Sequence, residues 1–122
     1  MRERRRFHRF NLQGRVRLQL GGTSFEFPAA DISVNGVGVL LDVAVFGSKP
    51  SGEVGICTIE SPDLSSPVEA YVSVMRIRRV GHLHLVGLRF ESISDEQLRI
   101  IQAYESLVRA RKVRVSGEHG PS

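Results

Sequence analysis

Two stretches of the chain alternate apolar with polar residues at a period of two, four more read as short strands between turn signals, and one stretch near the end changes to the helical period. Arg15-Val16-Arg17-Leu18-Gln19-Leu20 has the pattern of a half-buried strand. Gly21-Gly22 then supplies a tight turn, which predicts a hairpin into a second strand over residues 24–33. Pro28 inside that strand calls for an edge position or a bulge, because it donates no ladder hydrogen bond. Further strands are predicted over 36–41, 53–59, 68–79 and 82–91, separated by loops at 47–52 and 61–67 and by a turn at Val80-Gly81. The stretch from 68 to 79 is long for a small domain and is expected to bend across the body it helps to build.

The period changes after Ser94-Asp95-Glu96-Gln97. This is a capping box, with Ser94 as N-cap, Gln97 at the third helical position, and Asp95 and Glu96 at the positive end of the helix dipole. Leu98, Ile101, Tyr104 or Glu105, and Val108 continue at helical spacing, with Ile100 and Leu107 widening the stripe. A helix over 95–112 is therefore predicted, followed by an aperiodic, disordered tail over 113–122. Six antiparallel strands and one amphipathic helix make an all-β-dominated body, either a barrel or two packed sheets. The helix stripe is read as packing on that body, with an interface to a second protein as the competing use.

At 122 residues, 41% apolar and 25% charged, the chain fits one soluble domain. No apolar run is long enough to span a bilayer. The single cysteine, Cys57, cannot form an internal disulfide, so a cytoplasmic setting is the default and Cys57 is read as a buried strand residue. The formal net charge is +4, and residues 1–9 carry as much by themselves: five arginines against Glu3. The rest of the chain is balanced, which favours a local anionic ligand over a basic face spread across the fold. No apolar run follows the arginines, so they are not the head of a secretory signal.

Two motifs give the arginines a partner. Arg5-Arg6-Phe7-His8-Arg9 holds an arginine pair at i and i+4, and Asp31-Ile32-Ser33-Val34-Asn35-Gly36 is an Asp-x-Ser-x-x-Gly turn between two predicted strands. In this order, with this strand layout and with Gly87-Leu88-Arg89-Phe90 ahead of the helix, the chain resembles a PilZ domain, the bacterial receptor module for cyclic di-GMP. The resemblance covers roughly residues 2–110. It implies one domain over 1–112: a flexible basic N-terminal arm (1–10), a six-stranded antiparallel β-barrel (14–91) and a C-terminal α-helix (95–112). It further implies that Arg5 and Arg9 hold phosphate and guanine while Asp31, Ser33 and Gly36 shape a second wall. Arg4 goes, in that family, with a stacked pair of ligands.

The chemistry of the ligand agrees. Guanine presents O6 and N7 as paired acceptors that arginine meets bidentately. A guanidinium also stacks on the purine face, worth about 0.5–2 kcal/mol. The N1–H and N2–H donors of guanine need an acceptor, which Asp31 offers. Gly36 is expected to supply a positive φ or a close approach of ligand to backbone.

The remaining residues add little. His82 and His84, two apart on a predicted strand, share a face, but no companion ligands stand at zinc-site spacing, so no metal is expected. No nucleophile motif, phosphate loop or dinucleotide fingerprint occurs, and no enzyme activity is expected. The expected function is a cyclic di-GMP receptor that orders its arm on binding and signals to an effector protein. The competing classes are a nucleic-acid binder using the arm and a PilZ-like interaction domain without ligand. An Asx-turn role for Asp31 and Ser33 is compatible with any of these.

Overall fold

Each predicted strand forms, within a residue or two at its ends. The computed structural model describes residues 9–41 and 54–119, with side chains described to Arg111. The strands are β1 (Phe10–Asn11), β2 (Arg15–Leu20), β3 (Thr23–Ser33), β4 (Gly36–Leu41), β5 (Val54–Glu60), β6 (Val68–Val80) and β7 (Leu83–Ser92), followed by helix α1 (Asp95–His119). All pairings are antiparallel, in the order β1-β3-β2-β5-β6-β7-β4, and β4 also pairs with β3. That last pairing closes β2 to β7 into a six-stranded barrel. Period-two alternation sends Val16, Leu18 and Leu20 inward and leaves Arg15, Arg17 and Gln19 exposed.

The tight turns follow from backbone chemistry. Gly21 and Gly22 have φ of 51° and 87° between the paired residues Leu20 and Thr23, and Gly81 has φ of 65°. Both φ > 0 positions of the first turn suit a two-residue hairpin. Pro28 stands where β3 changes partners: residues up to Pro28 pair with β2, while Ala29 to Ser33 pair with β4. A bulge between Ala29 and Asp31 marks the handover, as Pro28 demands. The turn after β6 is Gly81-His82, so β7 begins at Leu83. His82 therefore lies off the strand, and the shared face predicted for His82 and His84 does not exist.

The long β6 bends through two bulges, one between Tyr71 and Val72 and one between Val74 and Arg76. The second takes Met75 out of register and reverses the alternation beyond it. Val74 opposes buried Leu88, whereas Arg76 opposes Gly87 and Ile77 opposes buried Val86. Unbroken alternation would set Arg76 on the face of Val72 and Val74; the bulge turns it to the outside.

Val16, Leu18, Ile32, Val37, Val39, Ile59, Val72, Val74 and Leu88 fill the barrel. Burying each side chain of this kind is worth about 1.5–3 kcal/mol. Cys57 joins them, and burial pushes its thiol up to about 12. Helix α1 adds Ile101 and Tyr104 to this core, with Ile100 and Val108 packed beside it, while Leu107 stays half exposed. Ser94 caps the helix by accepting from the Gln97 amide at 3.2 Å. The reciprocal half of the capping box is diverted, because Gln97 Oε1 accepts from the Glu69 amide and ties the helix start to β6.

The helix runs past the predicted end at 112 to His119. Propagation adds one hydrogen bond per residue fixed, and Arg and Lys are good helix formers, so the apolar stripe can end before the helix does. Among the described residues no helix is long and apolar enough to cross a membrane.

Candidate ligand-binding site

The second motif lies where β3 turns into β4, and the last residue of the first motif reaches it. Arg9 Nη1 donates to Asp31 Oδ1 at 2.6 Å, with the two side chains 34% and 20% exposed. The contact joins residues 22 apart in sequence. It is held by β1, whose Phe10 and Asn11 pair with Ile32 and Asp31. The arm expected to be flexible over 1–10 is thus anchored at its end: Phe10 belongs to a strand and Arg9 to an ion pair. Arg4 and Arg5 lie outside the described residues.

Ile32 points into the core, so Asp31 and Ser33 share the outer side of β3. Ser33 is buried, and its Oγ accepts from the Asn35 amide at 3.1 Å. This is the local turn bond that a Ser-x-Asn-Gly sequence favours.

Of the two uses expected of Gly36, the positive φ is absent. A Cβ there would stand 2.2 Å from the Leu88 carbonyl oxygen. Close approach of β7, not a turn conformation, makes glycine necessary. Gly38, which the sequence reading left out, is the more informative residue. It pairs with Asp31, and a Cβ on it would stand 2.7 Å from Asp31 Oδ1. Its missing side chain is the space in which the carboxylate lies to meet Arg9. The signal was available in sequence, since Gly36-x-Gly38 places two glycines on one face of the strand after the motif.

Beyond β4 the outer face continues onto β7 and β6. Gly36 pairs with Arg89, and Arg89 with Ser73. Ser73 is buried and donates to Glu91 Oε2 at 2.5 Å, while Arg89 donates to the same oxygen from Nε at 3.3 Å and Nη2 at 3.2 Å. The Ser73 hydrogen bond, and then that of Arg89, hold the Glu91 carboxyl below its ordinary range. Among the described residues no three His, Cys, Asp or Glu side chains converge as a metal site.

The end of the arm also touches the helix. Tyr104 donates its hydroxyl to the Asn11 carbonyl at 2.5 Å, and the Arg109 guanidinium lies 5.6 Å from the centre of the Phe10 ring. Arg9 is therefore one residue from a strand gripped on one side by β3 and on the other by α1.

Comparison with known proteins places this arrangement. The PilZ domain family model matches residues 3–106. No curated protein matches the chain by sequence. Among solved structures, the fold is similar to the inhibitor of motility MotI/DgrA of Bacillus subtilis, with a TM-score of 0.73 at 22% identity over 90% of this chain and 52% of that one. It is similar to Escherichia coli YcgR in complex with c-di-GMP, with a TM-score of 0.76 at 17% identity over 98% and 51%. The K. pneumonia MrkH–c-di-GMP complex gives 0.73 at 18% over 93% and 57%. The chain spans about half the length of these proteins.

Proposed function

The chain belongs to the PilZ domain family, and from that premise we propose that it is a receptor for cyclic di-GMP, with Arg4, Arg5, Arg9, Asp31, Ser33 and Gly36 as ligand-binding residues. The observation that carries the reading is the Arg9–Asp31 contact, in which the two motifs meet across 22 residues of sequence. Structural neighbours solved with c-di-GMP support it.

The geometry suits a guanine-bearing phosphodiester. A carboxylate offers about four lone-pair sites, so Asp31 can accept from Arg9 through Oδ1 and still receive guanine N1–H and N2–H through Oδ2. Arg9 in turn keeps donors for a phosphate or for guanine O6 and N7. The pair orients both side chains before the ligand arrives, and Gly38 keeps the carboxylate low on the barrel wall. Arg5 and Arg4 bring further positive charge, and Arg4 provides for a second, stacked ligand. Binding orders the arm over the 31–36 turn, and the charge-assisted contacts exceed the cost of that ordering.

An effector protein reads the change. Phe10 and Asn11 connect the arm to α1 through Arg109 and Tyr104, so movement of the arm reaches the helix surface. Titration calorimetry of the purified chain with cyclic di-GMP, with GTP as control, tests the reading. Heat of binding with cyclic di-GMP alone, with affinity greatly weakened in Arg5→Ala and Arg9→Ala, is expected. A stoichiometry of two supports the stacked pair, one removes it, and no binding by the wild type overturns the reading.

A further inference from the structure

Resting on that reading, we propose that Arg76, across the glycines of β4 and β7 from the Arg9–Asp31 edge, and Arg89, across Gly36 from Ser33, form a second cationic edge of the site. A cyclic dinucleotide has two phosphates and two guanines, and the two sequence motifs supply one edge only. The register shows what lies opposite. One row across the barrel wall runs Asp31, Gly38, Gly87, Arg76, and the next runs Ser33, Gly36, Arg89, Ser73. Both rows lie on the outer surface, because the residues between them, Val37 and Leu88, are buried.

Two features of β6 and β7 shape this part of the outer surface. The bulge at Met75 carries Arg76 from the inward to the outward side, a re-aiming that bulges commonly perform beside functional sites. Arg76 is exposed, and among the described residues no hydrogen bond or ion pair engages its guanidinium. Gly87, opposite it, is also unexplained by packing. Its φ is not positive, and the nearest atom to a Cβ there would be the Arg76 carbonyl oxygen at 4.0 Å. A side chain would fit, and glycine in a strand interior costs stability.

What its absence leaves is a half-buried, side-chain-free Gly87 between Arg76 and the Asp31 carboxylate, which lies over buried Gly38. A planar purine can lie there, within reach of a guanidinium at each end. Adjacent strands are about 4.8 Å apart, so three spacings separate the ends by about 14 Å along the wall. Arg89, in the next row, is restrained by Glu91 and stands beside the Asp-x-Ser turn.

Calorimetry of the full chain with cyclic di-GMP tests the second edge, using Arg76→Ala, Arg89→Ala and, as a charge-matched control, Arg79→Ala. Arg79 sits on the same strand near the hairpin tip, paired with His84, away from both rows. Loss of a charge-assisted contact predicts roughly tenfold or greater weakening in Arg76→Ala and in Arg89→Ala. Arg79→Ala is expected to change affinity by less than about threefold, as an exposed charge acting at a distance. If Arg76→Ala weakens binding no more than Arg79→Ala while Arg9→Ala weakens it about tenfold or more, the second edge is overturned and the receptor reading stands. If the wild type does not bind, both fall.

Discussion

The inner and outer sides of the β3–β4–β7 wall are made by the same strands, yet they carry different tasks. On the inner side Ile32, Val37, Val39, Val86 and Leu88 are all no more than 1% exposed. On the outer side, one residue away in each case, stand Asp31, Gly36, Gly38, Gly87 and Arg89. Because side chains alternate at a period of two, stability and ligand chemistry are separated by a single step along the chain. A one-residue slip of register would exchange them. The fold therefore protects the site by protecting the register, and substitutions on the two sides should fail in different ways.

The largest effect belongs to the inner side. Leu88→Ala empties a fully buried position and should cost about 2–5 kcal/mol in urea unfolding, while the molecules that remain folded keep their ligand affinity. Gly36→Ala is the exception that sharpens the comparison. It lies on the outer side but its Cβ would meet the Leu88 carbonyl, so it should destabilise the protein by about 1–3 kcal/mol or more, as an overpacked core residue does. A Gly36→Ala protein with unchanged unfolding midpoint would show that β4 and β7 separate easily, and would weaken the link between register and site.

Next come the substitutions that should spare the fold. Arg9→Ala removes a partly exposed ion pair worth at most about 1 kcal/mol to stability. Its cost to cyclic di-GMP binding should be about ten- to a hundredfold, since contacts to charged groups are worth about 1.5–3 kcal/mol. Gly38→Ala should resemble it. The new methyl meets a side-chain carboxylate that can swing away, where the methyl of Gly36→Ala meets backbone that cannot. Binding should weaken with little change in thermal stability, and the two alanine variants, two residues apart, should thus separate the outer side's structural glycine from its site glycine. Equal loss of stability in both would erase the distinction.

The inner side was largely legible in the sequence and the outer side only in part. Period-two alternation, short apolar runs and the turn residues between them located six strands, because burial of one face is a strong and local constraint. Asp31, Ser33 and Arg9 were legible as motif residues, and the contact between Arg9 and Asp31 is the kind of pairing the motifs imply. Strand partners and register were not legible, since they depend on which strands meet around the ring. That is why Gly38 went unnoticed and the close approach of β7 to Gly36 was not foreseen. The outward aim of Arg76 was not legible because a bulge leaves no mark on an alternating pattern. β1 was missed because two residues are too few to show a period, and its tether to α1 through Tyr104 and Arg109 is wholly tertiary.

The smallest expected effect concerns Glu91, at the far border of the outer side. Its carboxyl is held below the ordinary carboxylate value of 4.5 by the Ser73 hydroxyl first and by Arg89 second. A depressed folded-state value means that its contribution to stability is present above 4.5 and is lost as pH falls through the folded value. Melting temperatures of the wild type, Ser73→Ala and Glu91→Gln, followed from pH 7 down to about pH 3, should therefore differ at neutral pH and converge in acid. Ser73→Ala removes the larger cause and should account for most of the wild type's excess. Glu91 is exposed, so the differences should be small. The same carboxylate competes with an anionic ligand for Arg89, and Glu91→Gln should consequently raise cyclic di-GMP affinity at neutral pH by less than an order of magnitude. A loss of affinity in its place would mean that Glu91 holds Arg89 in its binding position, and that this border of the site is built for geometry ahead of charge.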